Sequence, residues 1–125
     1  MQTYQTLVEI NREVNALPYK TDAELYDRLE YWTDASLSGG ADCEDYAITK
    51  MHRLAARGWP QKNLRLATCF VETGEFHGVL VASTEDGDYM LDNRQPNPVP
   101  VADVLRLGYK PVSIQANGLK WVQWF

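Results

Sequence analysis

One cysteine lies among carboxylates in "ADCED", residues 41–45, directly after the pair Gly39–Gly40. The apolar periodicity predicts a helix over 41–57, with Gly58 as a typical C-terminal stop. Cys43 would then lie in the first turn of this helix, where the backbone N–H groups stabilise a thiolate. Residue type and position therefore predict a nucleophile at Cys43, with a small buried thiol as the alternative.

Three acidic residues, Asp42, Glu44 and Asp45, flank this cysteine. Their negative charges oppose thiolate formation, because like charges raise the pKa of a neighbouring thiol. A bound divalent cation would reverse that local field, and carboxylate oxygens are ligands that suit Ca²⁺. The alternative is that these acids only favour the helix N-terminus, by about 0.3–1 kcal/mol each.

A thiol nucleophile needs a base, and the chain has two histidines. His52 lies on the same predicted helix as Cys43, about 13 Å further along its axis, on a polar stripe typical of solvent-exposed residues. His77 lies in the apolar run "FHGVLVA", which is typical of a strand. We therefore expect His77 to be the base, and the alternative is a core histidine bonded to a backbone carbonyl.

The first predicted hairpin separates the two cysteines. If "ETGE", residues 72–75, closes it symmetrically, Phe70 faces His77 and Cys69 faces Gly78. Cys69 would then point away from His77, and Cys43 would be the better nucleophile.

The second predicted hairpin relates His77 to an acidic residue, Asp92. A catalytic base is usually oriented by a third group, and Asp92 follows the run "YML". A four-residue loop over 83–86 would place Asp92 directly opposite His77. A two-residue turn at Asp86–Gly87 would place it opposite Val81, about 13 Å away. The triad hypothesis therefore favours the four-residue loop.

The remaining pattern predicts an α+β fold, with helices first and strands after. The apolar stripe of the nucleophile helix should face the sheet; it consists of Cys43, Ala47, Met51 and Leu54. Other expected elements are a helix from Tyr4 to Leu17, a short helix capped by Thr21 and Glu24 that runs to Trp32, strands over 64–71, 75–82 and 88–93, a short helix over 102–108, and strands over 110–116 and 119–125 around an Asn117–Gly118 turn. Three prolines predict that residues 94–101 form no ladder.

Composition limits the class of protein. The 125 residues are 45% hydrophobic, with four Trp and seven Tyr, which predicts one globular domain over 1–125. A net charge of −5 without a basic stripe argues against nucleic-acid binding. No apolar run reaches the ~20 residues of a membrane span. The N-terminus lacks a secretory pattern, which predicts a cytoplasmic or phage-associated protein, and two cysteines fit thiols in a reducing compartment.

The blocks "GGADCEDYAITKMHRL", "LRLATCFV", "FHGVLVA" and "YMLDN" resemble those of the bacterial transglutaminase-like cysteine peptidases, from about residue 8 to the end. The resemblance implies a papain/transglutaminase-like core, in which the nucleophile helix packs on a small antiparallel sheet. It implies a Cys43–His77–Asp92 triad that hydrolyses peptide or amide bonds. The family includes a calcium-dependent periplasmic protease that cleaves biofilm adhesins, so Ca²⁺ at Asp42, Glu44 and Asp45 is implied, without an organic cofactor. A protein or peptide substrate is also implied, and a regulatory protein partner is compatible with the family.

Other functions use the same residues. With an amine as acceptor, the triad would perform transglutaminase- or amidase-type acyl transfer. A non-catalytic protein-binding module could instead present "WVQWF" as a contact surface, although core packing is the commoner use of such rings. Zinc is disfavoured because the Cys–His spacings match no usual ligand pattern. Besides the Cys43 backbone N–H, Tyr31 or Trp32 are candidates for the second oxyanion donor.

Overall fold

The computed structural model describes residues 3–16, 41–115 and 121–124, and of residues 41–45 and 121 only the backbone. The helices are α1 (Tyr4–Asn15) and α2 (Ala41–Ala56), with 3-10 helices at Gln61–Asn63 and Val101–Leu107. The strands are β1 (Leu64–Phe70), β2 (Phe76–Thr84), β3 (Gly87–Leu91), β4 (Val99–Pro100), β5 (Lys110–Gln115) and β6 (Trp121–Val122). These elements confirm the α+β class. The predicted helix from Thr21 to Trp32 and the Asn117–Gly118 turn lie outside the described residues.

Local sequence signals end the two helices. Thr3 caps α1, because its side-chain oxygen accepts a hydrogen bond from the Thr6 N–H at 3.4 Å. At the end of α2, Gly58 takes a left-handed conformation with φ of 93°. The Trp59 N–H then donates to the Leu54 carbonyl at 3.0 Å, which is a Schellman closure. The predicted stop at Gly58 is confirmed.

The strands form one antiparallel sheet in the order β4-β3-β2-β1-β5-β6. The prediction that residues 94–101 form no ladder is wrong at β4, where Val99 pairs with Met90 and Pro100 pairs with Tyr89. Proline is tolerated there because β4 is an edge strand of the described sheet and needs no donor on its outer side. The short helix predicted over 102–108 is confirmed as the 3-10 helix Val101–Leu107.

Two apolar layers cover the two faces of the sheet. One lies under α1 and α2, and includes Ile10, Val14, Ala47, Leu54, Leu66, Leu80 and Leu91. The other lies under the second 3-10 helix, and includes Ala67, Cys69, Val79, Val81, Met90, Val104 and Tyr109. Ala47 and Leu54 confirm that the predicted stripe of α2 faces the sheet, and Met51 packs at its margin. Among the described helices, none has the length and apolar character that a membrane crossing needs.

The register of the first hairpin differs from the prediction. Cys69 pairs with His77 and Phe70 pairs with Phe76, so the expected pairs Phe70–His77 and Cys69–Gly78 are wrong. The loop has three residues, not four, because Gly74 has a φ of 90° and the Val71 N–H donates to the Glu75 carbonyl at 2.9 Å. A left-handed glycine at the third loop position is typical of three-residue hairpin loops.

The second hairpin also has a register that neither predicted loop would give. Thr84 pairs with Gly87, so Glu85 and Asp86 alone connect β2 to β3. The Thr84 hydroxyl holds this turn, since it donates to the Gly87 carbonyl at 2.8 Å and accepts from the Asp86 N–H at 3.0 Å. The predicted four-residue loop over 83–86 is therefore wrong, because a threonine side chain closes a tighter turn.

Candidate active site

His77 and Asp92 form a hydrogen-bonded pair at one end of the sheet. The distance between His77 Nε2 and Asp92 Oδ1 is 2.5 Å, and both side chains are buried. The β2–β3 ladder ends at Leu80 and Leu91, so Asp92 lies one residue beyond it. Continuing that register would set Asp92 level with Val79, which makes His77 its diagonal neighbour on one face. Diagonal neighbours lie about 7–8 Å apart, within reach of long side chains, so the pair forms despite the shifted register.

Three donors surround the Asp92 carboxylate. Oδ1 accepts from the His77 ring and from the Arg94 backbone N–H at 3.0 Å, and Oδ2 accepts from the Tyr109 hydroxyl at 2.6 Å. Burial alone would raise the pKa of Asp92, but the hydrogen bonds from His77, Tyr109 and Arg94 and the His77 charge outweigh it. The pKa of Asp92 therefore lies below its ordinary value, and the group is a carboxylate at neutral pH.

Helix α1 holds the turn that carries Asp92. Asn15 Nδ2 donates to the backbone carbonyls of Asp92 at 3.2 Å and Gln95 at 3.3 Å. One turn earlier, Asn11 Nδ2 donates to the carbonyls of Gln95 at 3.0 Å and Pro96 at 3.2 Å. Because both asparagines point from one face of a regular helix, they fix the backbone from which the Asp92 side chain projects.

Lys50 is a second charged residue near this pair. Its side chain is fully buried in α2, and its Nζ has no hydrogen-bond partner among the described residues. Burial lowers the pKa of Lys50 to about 7, although the negative charge of Asp92 acts to raise it. This electrostatic interaction indicates that the middle of α2 passes close to Asp92.

The backbone of α2 places Cys43 in the first turn of the helix, as predicted. The same turn contains Asp42, Glu44 and Asp45, and the side chains of all four residues lie outside the description. The structure therefore brings His77 and Asp92 together and gives Cys43 a helical position only. As a donor set, three carboxylates in one helical turn fit a hard cation such as Ca²⁺. Among the side chains that are described, no cluster of three or more His, Cys, Asp or Glu could hold a metal.

The other cysteine and the other histidine have different surroundings. Cys69 lies directly opposite His77 on the same face, so the prediction that it points away is wrong. Its Sγ donates to the His77 backbone carbonyl at 3.7 Å, and the thiol is completely buried. Burial, not orientation, therefore makes Cys69 a poor nucleophile. His52 is exposed on α2, as expected.

Sequence reasoning missed Tyr109, Arg94 and Lys50. Tyr109 lies between the second 3-10 helix and β5, and no local pattern relates it to Asp92, 17 positions away. For Lys50 there was a signal, because it is seven residues after Cys43 and therefore on the same helix face. A lysine within an apolar stripe is unusual enough to indicate a special environment.

Comparison with known proteins gives a family and a group of similar structures. The family model of the bacterial transglutaminase-like cysteine proteinases matches residues 1–124. Calcium-bound LapG of Legionella pneumophila is 27% identical, with a TM-score of 0.64 over 90% of this chain and 65% of LapG. EGTA-treated LapG is 25% identical, with a TM-score of 0.63 over 90% of this chain and 63% of that one.

A further LapG structure is also 25% identical, with a TM-score of 0.64 over 91% of this chain and 65% of the other. The chain thus covers slightly less than two thirds of these LapG chains. No curated protein matches the sequence significantly. Because the family model extends over nearly the whole chain, the protein belongs to the bacterial transglutaminase-like cysteine proteinases.

Proposed function

We propose that this chain is a cysteine peptidase in which Cys43, His77 and Asp92 form the catalytic triad. The observation that carries the proposal is the bond between His77 Nε2 and the Asp92 carboxylate. Since a carboxylate can only accept, Nε2 must carry the ring proton. Nδ1 is then the nitrogen that accepts a proton from a thiol, as a general base requires.

The position of Cys43 on α2 supports its part in this triad. Cys43 lies two helical turns before Lys50 on the same face, about 10 Å along the axis. Lys50 interacts electrostatically with Asp92, which supports a position of this part of α2 near the histidine–aspartate pair. The helix N-terminus adds a favourable field for a thiolate at Cys43.

The proposed reaction is peptide hydrolysis through a thioester. His77 Nδ1 takes the proton of the Cys43 thiol, and the thiolate attacks the substrate carbonyl carbon. The imidazolium returns the proton to the leaving amine, and the C–N bond breaks. Water then attacks the thioester, with His77 again accepting and returning a proton, and the carboxylic acid product leaves. Asp92 keeps the ring in the required tautomer throughout.

Calcium belongs to the proposal as a bound cofactor. Asp42, Glu44 and Asp45 would hold the ion, and its charge would offset the repulsion between these carboxylates and a thiolate. One of the similar LapG structures is calcium-bound, which supports this assignment. Backbone carbonyls or water would supply the remaining ligands, because Ca²⁺ takes six to eight oxygens.

Cleavage profiling tests the proposed activity. A mixed peptide library would be incubated with wild type and Cys43→Ala, with and without a chelator, and the products identified by mass spectrometry. We expect new peptide ends with wild type only. Transfer of the acyl group to an added primary amine would instead indicate a transglutaminase. Peptide binding without turnover, unchanged by Cys43→Ala, would favour a binding module and contradict the proposal.

Calorimetry tests the calcium site separately. Ca²⁺ should bind and raise the melting temperature by mass action, and Mg²⁺ should substitute poorly because it demands a tighter octahedral shell. Asp42→Ala should abolish both effects, whereas Asp86→Ala, a matched change in an exposed turn, should not. Absence of binding at millimolar Ca²⁺ would mean that the three acids are helix-terminus residues only.

A further inference from the structure

The Tyr109 hydroxyl lies at the centre of a polar cluster around the Asp92 oxygen that does not bind His77. Its oxygen is 2.6 Å from Asp92 Oδ2, 3.0 Å from Arg94 Nη1 and 3.4 Å from Gln95 Nε2. A phenol has one proton to donate and two lone pairs that accept. Guanidinium and amide nitrogens can only donate here, so Arg94 and Gln95 occupy the lone pairs. The hydroxyl proton must therefore point at Asp92.

This arrangement fixes the protonation of its neighbours as well. Burial and the bond to Asp92 raise the pKa of Tyr109, so the phenol keeps its proton at neutral pH. Asp92 receives donors on both oxygens, which stabilises the deprotonated carboxylate and holds its pKa below the ordinary value. The cluster thus defines one state, with a carboxylate at Asp92 and a proton on His77 Nε2.

The position of Tyr109 is in turn fixed by an ion pair at the protein surface. Arg94 lies over the Tyr109 ring at 5.6 Å from its centroid and makes a two-bond pair with Glu72, with Nη1 at 2.9 Å from Oε2 and Nη2 on Oε1. The hydrogen bond from Arg94 lowers the pKa of Glu72 to about 2, so both partners stay charged. A guanidinium held this way presents its remaining N–H to Tyr109 in a fixed direction.

We propose that Tyr109 is a positioning residue of this site, which holds the Asp92 carboxylate in the orientation that selects the His77 tautomer. The Glu72–Arg94 pair acts through Tyr109 in the same way. This inference deepens the proposed peptidase function and rests on it for its catalytic meaning. The geometric part concerns His77 and Asp92 alone, and it holds whatever Cys43 does.

The tautomer of His77 therefore depends on residues that extend to the protein surface. Without the Tyr109 hydroxyl, Asp92 Oδ2 loses its one donor among the described residues, and only the two hydrogen bonds to Oδ1 oppose rotation of the carboxylate about its Cβ–Cγ bond. Rotation lengthens the hydrogen bond to His77, so the Nε2–H tautomer of the ring is no longer strongly stabilised. A base with two mixed tautomers has its proton-accepting nitrogen correctly placed only part of the time.

The test compares Tyr109→Phe with Tyr89→Phe, a control that removes the same atom from a half-buried tyrosine of β3. Nitrogen-15 NMR of the histidine ring reports the tautomer, and iodoacetamide alkylation of Cys43 between pH 5 and 9 reports its activation. When the His77 ring is neutral, we expect a single Nε2–H tautomer in wild type and Tyr89→Phe. In Tyr109→Phe we expect mixed tautomers and alkylation about five- to tenfold slower at pH 6.5, a loss typical of the net contribution of one hydrogen bond.

A second variant, Arg94→Met, keeps the inference testable if Tyr109→Phe does not fold. It removes one donor to the Tyr109 hydroxyl and should shift the tautomer ratio in the same direction by a smaller amount. Unchanged tautomer and alkylation rate in folded Tyr109→Phe would overturn the inference, as would unchanged ratios in Arg94→Met. If wild-type Cys43 itself reacts like an ordinary thiol, the proposed peptidase fails, while the tautomer measurement still decides the role of Tyr109.

Discussion

Asp92 and Lys50 are two buried titratable side chains that interact electrostatically, and their surroundings are opposite. Asp92 accepts hydrogen bonds from three donors, and its pKa falls below the ordinary value although burial alone would raise it. Lys50 has no hydrogen-bond partner for Nζ among the described residues, and burial lowers its pKa to about 7. The comparison teaches that hydrogen-bond satisfaction, more than depth, decides whether a buried group stays charged.

The two residues also differ in what they contribute to stability. The Asp92 network is complete, so it orders the turn after β3 and holds His77. Lys50 breaks the rule that a buried amine is paired, and such exceptions are typical of functional sites. Since Lys50 shares a helix face with Cys43 and interacts with Asp92, we interpret it as a titratable amine retained near the site at a cost in stability.

Replacing Asp92, whose carboxylate accepts three hydrogen bonds, should have the largest effect on activity. In Asp92→Asn, the amide presents a donor or a weaker acceptor to His77, so the Nε2–H tautomer loses its main stabilisation. We expect kcat/KM for the best peptide from cleavage profiling to fall about 10³–10⁴-fold, as for the loss of a charged orienting group.

The matched control for this change is Asp86→Asn in the exposed β2–β3 turn. It makes the same chemical substitution in the same hairpin and should leave kcat/KM within twofold of wild type. An Asp92→Asn enzyme with nearly full activity would show that the carboxylate does not orient the base.

Replacing Lys50, whose amine has no hydrogen-bond partner among the described residues, should raise the free energy of unfolding. Lys50→Met keeps the shape of the side chain and removes the buried amine. The free energy of unfolding should rise by up to about 5 kcal/mol at pH 6, because the pKa of Lys50 falls from 10.5 to about 7 and each pKa unit corresponds to about 1.4 kcal/mol. Urea unfolding followed by circular dichroism measures this gain.

The gain should depend on pH in a defined direction. The unfolded chain keeps the Lys50 proton up to about pH 10.5, whereas the folded protein releases it near pH 7. Between these values the wild type becomes more stable as the pH rises, so the advantage of Lys50→Met is full below pH 7 and fades toward pH 10.5. Lys62→Met, at an exposed lysine, should show neither the gain nor its pH dependence. A pH-independent difference would contradict a buried, titrating amine at Lys50.

The smallest expected effect comes from Gly108, which lies against Glu72, the ion-pair partner of Arg94. Gly108 has a φ of 85°, and a Cβ there would lie 3.1 Å from the Glu72 Cβ. Gly58 has a φ of 93° with open space around its Cβ position. Alanine at either should cost about 1–2 kcal/mol of unfolding free energy from backbone strain. Gly108→Ala should cost more and also slow Cys43 alkylation, since it pushes on the partner of Arg94. If Gly108→Ala and Gly58→Ala changed the unfolding free energy and the Cys43 alkylation rate equally, the Glu72 contact would be unimportant for the site.

The sequence predicted the elements of this fold well, because their signals are local. Gly58 ends α2 through its own backbone, and the apolar stripe of α2 follows from helical spacing. The residues Cys43, His77 and Asp92 were likewise chosen from their types and order. His77 and Asp92 do meet, although both hairpin registers were predicted one or two positions away.

The predictions of the two hairpin registers were wrong because the length of each loop depends on a single residue. Gly74 in a left-handed conformation shortens the first loop, and the Thr84 hydroxyl tightens the second. The contacts of Tyr109 and of Asn15 with Asp92 join segments far apart in the chain, so no spacing rule could reveal them. Tertiary partners of a site are fixed only when the whole sheet is assembled.

The most direct test of the central claim, that His77 activates Cys43, is the pH dependence of Cys43 alkylation by iodoacetamide, with each thiol followed by mass spectrometry. We predict a rate that is already high at pH 6–7 in wild type, with a midpoint below pH 7, and at least tenfold lower in His77→Ala. Buried Cys69 should react slowly in both proteins and serves as an internal control. A wild-type midpoint near pH 8.5, the value of an ordinary thiol, with no effect of His77→Ala, would contradict the account.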